Sequence, residues 1–72
     1  GAPSVNRAVQ YFDADGNGPL AATLTTADAQ SGHCDIFVMY PADAPTPYAV
    51  FAKVPFGEWY GQPGTWSWAP RV

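Results

Sequence analysis

Charge and cysteine are scarce in this sequence, and each shortage closes off a class of function. Only Arg7, Lys53 and Arg71 are cationic, and the formal net charge is -3. Binding to phosphate backbones needs clustered cations that displace counterions. Three scattered ones argue against nucleic acid as a partner. Cys34 is the single cysteine, so no internal disulfide is available, and a lone thiol fits a reducing compartment better than an oxidising one. One histidine and one cysteine do not make a closed zinc site, which takes about four ligands. No apolar run reaches the roughly 18 residues of a membrane-spanning helix, so no membrane association is expected. No basic-then-apolar opening marks a signal peptide, although a mature secreted chain would have lost one.

What the chain does have is aromatic side chains. They make up 15% of 72 residues, and the length, residues 1–72, is that of one small domain. So short a chain buries a modest core and is marginal without a staple. With no disulfide and no metal, two sources of stability remain: dense aromatic packing, or assembly with other chains. A homo-oligomer, or a subunit of something larger, is the expectation.

Eight prolines and seven glycines cut the chain into short segments, which disfavours long helices. "RAVQYFDA" alternates roughly, and its aromatic and β-branched end favours a strand. A helical stripe of Val5, Ala8, Val9 and Phe12 behind a Ser4 cap is the competing pattern. "LAATLTTA" has a period near two. "CDIFVMYP" is the clearest strand, with Ile36, Val38 and Tyr40 on one face and Phe37 and Met39 on the other. "YAVFAKVPF" alternates Val50, Ala52 and Val54 against Phe51 and Lys53. "TWSWAP" is a last short strand, placing Trp66 and Trp68 on a common face. About five short strands with turn signals between them predict an all-β fold, a small antiparallel barrel. The layout resembles SH3-like barrels of the Tudor or KOW kind; an OB-like barrel is the alternative.

"DADGNG", residues 13 to 18, resembles the start of an EF-hand calcium loop. Asp13, Asp15 and Asn17 occupy the first, third and fifth ligand positions, and Gly18 the sixth. The twelfth position, which needs a bidentate Glu, is Leu24, and "AATLTT" is poor helix material for a flank. A hairpin turn using Asp15-Gly16 and Asn17-Gly18 is the preferred reading, with calcium held in reserve. No cofactor is expected.

Catalytic sets are missing as well. His33 and Cys34 are adjacent, and neighbours on a strand point to opposite faces, so the imidazole is badly placed to activate the thiol. An inert, buried thiol is the reading preferred to an intermolecular disulfide. Asp13, Asp15, Asp28, Asp35, Asp43 and Glu58 fall mostly in turns, and nothing sets two of them across a cleft for glycoside hydrolysis. The expectation is a non-enzyme.

The strongest functional signal is aromatic. Trp59, Tyr60, Trp66 and Trp68 crowd around "GQPG". Three uses are open to them: core, subunit interface, or a platform for sugars, Pro-rich peptides or methylated cations. Arg71 would stand at the rim of such a surface.

The tail "VPFGEWYGQPGTWSWAPRV", residues 54 to 72, resembles the C-terminal signature of small phage and prophage proteins. There a "VP" step leads through a Gly-rich loop to "GTWHWP" and a closing basic residue. "AATLTT" and "CDIFVMYP" stand where those proteins carry an "AAIVT" and a "VNLTVF" strand. The resemblance spans roughly residues 8 to 72. It departs at Ser67, where His is common, and at Ala69, where Pro follows Trp directly. It implies a virion location, after assembly in a host cytoplasm. On this reading the chain is a head decoration or minor capsid protein. Its partners would be capsid or other virion proteins, met through apolar and aromatic contacts at Trp59, Tyr60, Trp66, Trp68 and Arg71. Two other uses compete: a small carbohydrate-binding module built on the same aromatics, and an inhibitory or regulatory module that docks on a host protein.

Overall fold

The chain is all-β: a computed structural model describes residues 1–70, and they hold five strands and no helix. Strand β1 is Ala8–Phe12, β2 Leu20–Leu24, β3 Cys34–Met39, β4 Tyr48–Val54 and β5 Thr65–Trp68. All five segments that alternate in the sequence form strands. The helical stripe around Val5–Phe12 is not used, because Val9 and Tyr11 turn to the core with a period of two.

The strands pair antiparallel in the order β4-β3-β2-β1-β5, and the sheet curls into a half-barrel consistent with a small SH3- or OB-like barrel. The register puts Val9 opposite Ala22, Ala22 opposite Val38, and Leu24 opposite Ile36. These alternate positions line the concave side. Leu24, Cys34, Ile36 and Val38 have no exposed area. The curl is tight enough for Tyr11 on β1 to stack on Phe51 of β4 at 5.2 Å, although β2 and β3 lie between them. Burial raises the Tyr11 phenol above its ordinary value, with Tyr40 and Asp13 adding to the effect.

The chain just past β4 seals the gap. Residues 55 to 57 run beside β5 through a parallel bridge, Phe56 opposite Trp66. Trp66 N donates to the Pro55 carbonyl at 3.1 Å, and Gly57 N donates to the Trp66 carbonyl at 2.9 Å. A side chain at Gly57 would meet Thr65 Oγ1 at 2.7 Å, so only glycine permits this approach. Trp66 is 1% exposed, and its Nε1 donates to the Gly32 carbonyl at 2.9 Å. The largest side chain of the core therefore has its one polar atom satisfied.

One alternation slips. Val50, Ala52 and Val54 were expected on one face, but Val50 is 63% exposed while Val54 is buried. The cause is a bulge: the β3–β4 register shifts between Cys34 and Ile36, and Lys53 takes a left-handed φ of 52°. Its N–H leaves the ladder and donates to Asp35 Oδ1 at 2.8 Å. The extra residue rotates Val54 inward.

Trp66→Ala should cost about 3–5 kcal/mol, most of the stability of so short a chain, as read by urea denaturation. A loss below about 1 kcal/mol would contradict the core role. Ser67 beside it carries a buried hydroxyl with no hydrogen-bond partner among the described residues. Ser67→Ala should therefore leave stability unchanged or raise it.

Candidate interaction surface

The crowded aromatics of the tail separate in space. Trp66 belongs to the core. Trp68, half-buried, meets it edge-on at 5.1 Å, and Phe56 meets Trp66 at 4.9 Å. The Arg7 guanidinium lies 4.7 Å over the Trp68 ring, an attraction between a cation and a ring face that already occupies one of the few cations. A cleft of about 250 Å³ opens between Phe56, Trp66, Trp68 and the Gly32 loop. Tyr60 goes to the opposite, convex side of the sheet. Its ring packs edge-on against Phe12 at 5.1 Å, and its hydroxyl donates to Gln10 Oε1 at 2.8 Å. Trp59, beside it, is 60% exposed. So Tyr60 sits on the convex surface and Trp66 and Trp68 elsewhere; the four do not form one platform. Arg71 lies outside the described residues.

The convex side holds a surface that reading along the chain does not single out. The register places Gln10 beside Ala21, Ala21 beside Met39, and Met39 beside Tyr48. A second row runs from Ala8 through Thr23 and Phe37 to Val50. Not one of these residues is charged. The solvent face of an antiparallel sheet is ordinarily polar. Here Met39 is 43% exposed, Tyr48 54% and Val50 63%. Phe37 stacks on Tyr48 at 5.1 Å, which groups the two rings on this face. Tyr60, tied to Gln10, extends the first row at its other end. Large apolar side chains grouped in this way mark interaction surfaces.

The polar candidates fold inward on themselves. Asp13 Oδ1 accepts from Asn17 N at 2.8 Å and Asp15 N at 3.0 Å, and Oδ2 accepts from Asn17 Nδ2 at 3.3 Å. Gly16 and Gly18 both take positive φ, and a side chain at Gly18 would strike Phe12 and the Tyr11 carbonyl at 2.8 Å. The DADGNG stretch thus makes a turn whose leading carboxylate is engaged by its own backbone. Among the described residues, no three His, Cys, Asp or Glu side chains gather where a metal ion could be held. His33 is exposed and Cys34 buried, and the thiol is 3.7 Å from the Gly32 carbonyl. The two side chains point apart, as the strand period requires.

Comparison with protein-family models, with curated proteins and with solved structures finds no match.

The turns make a pH dependence. Asp13 is held below the usual carboxylate range, chiefly by the Asn17 N–H, with the Asn17 amide and the Asp15 N–H adding. Asp28 is lowered by the Gln30 N–H first and then by Ser31. A lowered folded pKa means that the unfolded chain binds protons more readily. The stabilisation is present above the ordinary value of 3.8 and is lost as pH falls through the folded values. The melting temperature should fall below pH of about 4, and Asp13→Asn with Asp28→Asn should flatten that fall. An unchanged acid limb in the double variant would contradict the assignment.

Proposed function

We propose that this chain is a non-catalytic interaction protein that seats on a larger protein assembly, as a phage head decoration or minor capsid protein does. The observation that carries the reading is the uncharged two-row patch on the convex face, where Phe37, Met39, Tyr48 and Val50 cluster in or near solvent. Apolar burial at a patch of this kind provides binding energy without any reacting group. The resemblance of residues 54 to 72 to small phage proteins supplies the virion context. Tyr60 lies on the same side of the sheet, and with the exposed Trp59 beside it in the loop it extends the contact; Trp66 and Trp68 serve the fold. Capsid or other virion proteins are the partners on this reading.

The exposure of Trp59, 60%, favours one second reading, in which the Trp59–Tyr60 loop stacks on a sugar ring. Glycan titrations separate the two. Quenching of Trp fluorescence that is lost in Trp59→Ala would move the assignment to carbohydrate.

The virion reading is tested on particles purified from the virus that encodes the chain. The protein should travel with the particles through a density gradient. Met39→Asp with Tyr48→Asp should leave it folded and shift at least about nine-tenths of it to the free fraction, a change of ~1.4 kcal/mol or more. Wild-type protein found only in the free fraction would sink the virion reading. A double variant that travels as before would remove the convex face as the contact.

A further inference from the structure

We infer that the free edge of β4 is a self-pairing edge, and that two copies of the chain join antiparallel through Tyr48–Ala52 with a two-fold axis at Val50. Of the five strands, β4 and β5 end the sheet. The outer side of β5 is occupied by residues 55 to 57. Among the described residues, no backbone segment pairs with the outer side of β4. Tyr40 N donates to the Pro47 carbonyl at 3.0 Å, so Tyr40 and Pro47 face each other as a hydrogen-bonded pair. Hydrogen-bonded and non-bonded pairs alternate along an antiparallel ladder. Ala49 and Phe51 therefore direct their backbone groups towards β3, and Tyr48 and Val50 direct theirs outward. No hydrogen bond is found for the backbone of Tyr48 or Val50 on that side among the described residues.

Natural edges are blunted by proline, lysine and bulges. On β4 these devices stand at the two ends. Pro47 precedes the strand, and the bulge that sets Ala52 and Lys53 together against Asp35 interrupts it after Phe51. Between Pro47 and Lys53 lie five uncharged residues, Tyr48 to Ala52. Only one antiparallel register pairs all five with a second copy of themselves, and its centre is Val50. That register sets Val50 against Val50, and each Tyr48 against the small Ala52 of the other copy, a fit of large to small. The two-fold makes the contact isologous and closed at two copies. It also keeps the two Lys53 side chains about 20 Å apart. Each Lys53 then lies near the other copy's loop 41–47, whose one charge is Asp43, so the charges at the rim are complementary.

The contact is small. A standard interface takes about 800 Å² from each partner, and the whole chain exposes 4706 Å². Strand pairing alone uses less than the standard area, so the dimer is concentration-dependent. It joins two convex faces edge to edge and widens the uncharged surface without covering it. The inference does not rest on the virion reading, because it is tested on the isolated protein.

Sedimentation velocity on the full chain, from about 10 μM to about 1 mM, reads the test. Wild-type protein should pass from one copy to two. Val50→Lys and Val50→Glu each place like charges opposite themselves on the axis, and each should remain a single copy with an unchanged far-ultraviolet spectrum. Mixed in equal amounts, the two variants should recover the mass of two copies, because Lys then faces Glu. Wild-type protein that stays single at about 1 mM overturns the inference and leaves the edge to a strand of another protein. A dimer that survives both substitutions, or a mixture that does not recover, overturns the Val50-centred register.

Discussion

The hydrogen-bonded seal around Trp66 is the constraint from which the rest of the structure follows. Five short strands in one open sheet bury too little by themselves, and a chain with a single cysteine has no internal disulfide to compensate. The seal brings residues 55 to 57 onto β5 and ties the Trp66 indole to the Gly32 carbonyl. Two segments of the chain are thereby fixed to a single residue. A large ring that fills the core and also satisfies its own N–H contributes burial without leaving a polar debt. Gly57 is the local condition for it, since any Cβ there would separate the two segments.

That same seal decides which surfaces remain open. Because the chain past β4 turns to cover β5, the loop that follows folds over the convex ends of β1 and β5, where Tyr60 reaches Phe12 and Gln10. Among the described residues, no equivalent segment covers β3 and β4. The Phe37–Tyr48 stack, Met39 and Val50 are left facing water, and so is the outer edge of β4. The apolar face and the free edge are thus two consequences of one topological choice. A chain whose closing segment had run along β4 would have hidden both.

Strand positions were legible in the sequence because they depend on local alternation and turn chemistry. "CDIFVM" gave its two faces correctly from period two alone. Period two does not say which face is inside when both are apolar. Phe37 and Met39 look as suited to a core as Ile36 and Val38, and the direction of the curl makes the difference. The phase of β4 was misread for a related reason. Alternation carries Val54 with Val50, and nothing in "YAVFAKV" announces that Lys53 adopts a left-handed backbone. The partner that stabilises that backbone, Asp35, is 18 positions away. The tail aromatics were recognisable as important but not as divided. Trp66 and Trp68 share a strand face, whereas Trp59 and Tyr60 sit in a loop whose path is set by the seal.

The bulge at Lys53 links interior and surface. Inside, it rotates Val54 into the core beside Cys34. Outside, it ends the regular pairing of β4 after Phe51 and places a cation there. A regular strand would have presented a longer edge with several possible registers, and such edges pair indiscriminately. The bulge and Pro47 together shorten the edge to a stretch with a defined midpoint. Removing the bulge would therefore change two properties at once: Val54 would turn outward and weaken the core, and the edge would lengthen past its single register. A sequence with only 12% charged residues has few charges with which to guard its edges. It relies on backbone geometry instead, and one left-handed lysine both completes the core and limits what the sheet can pair with.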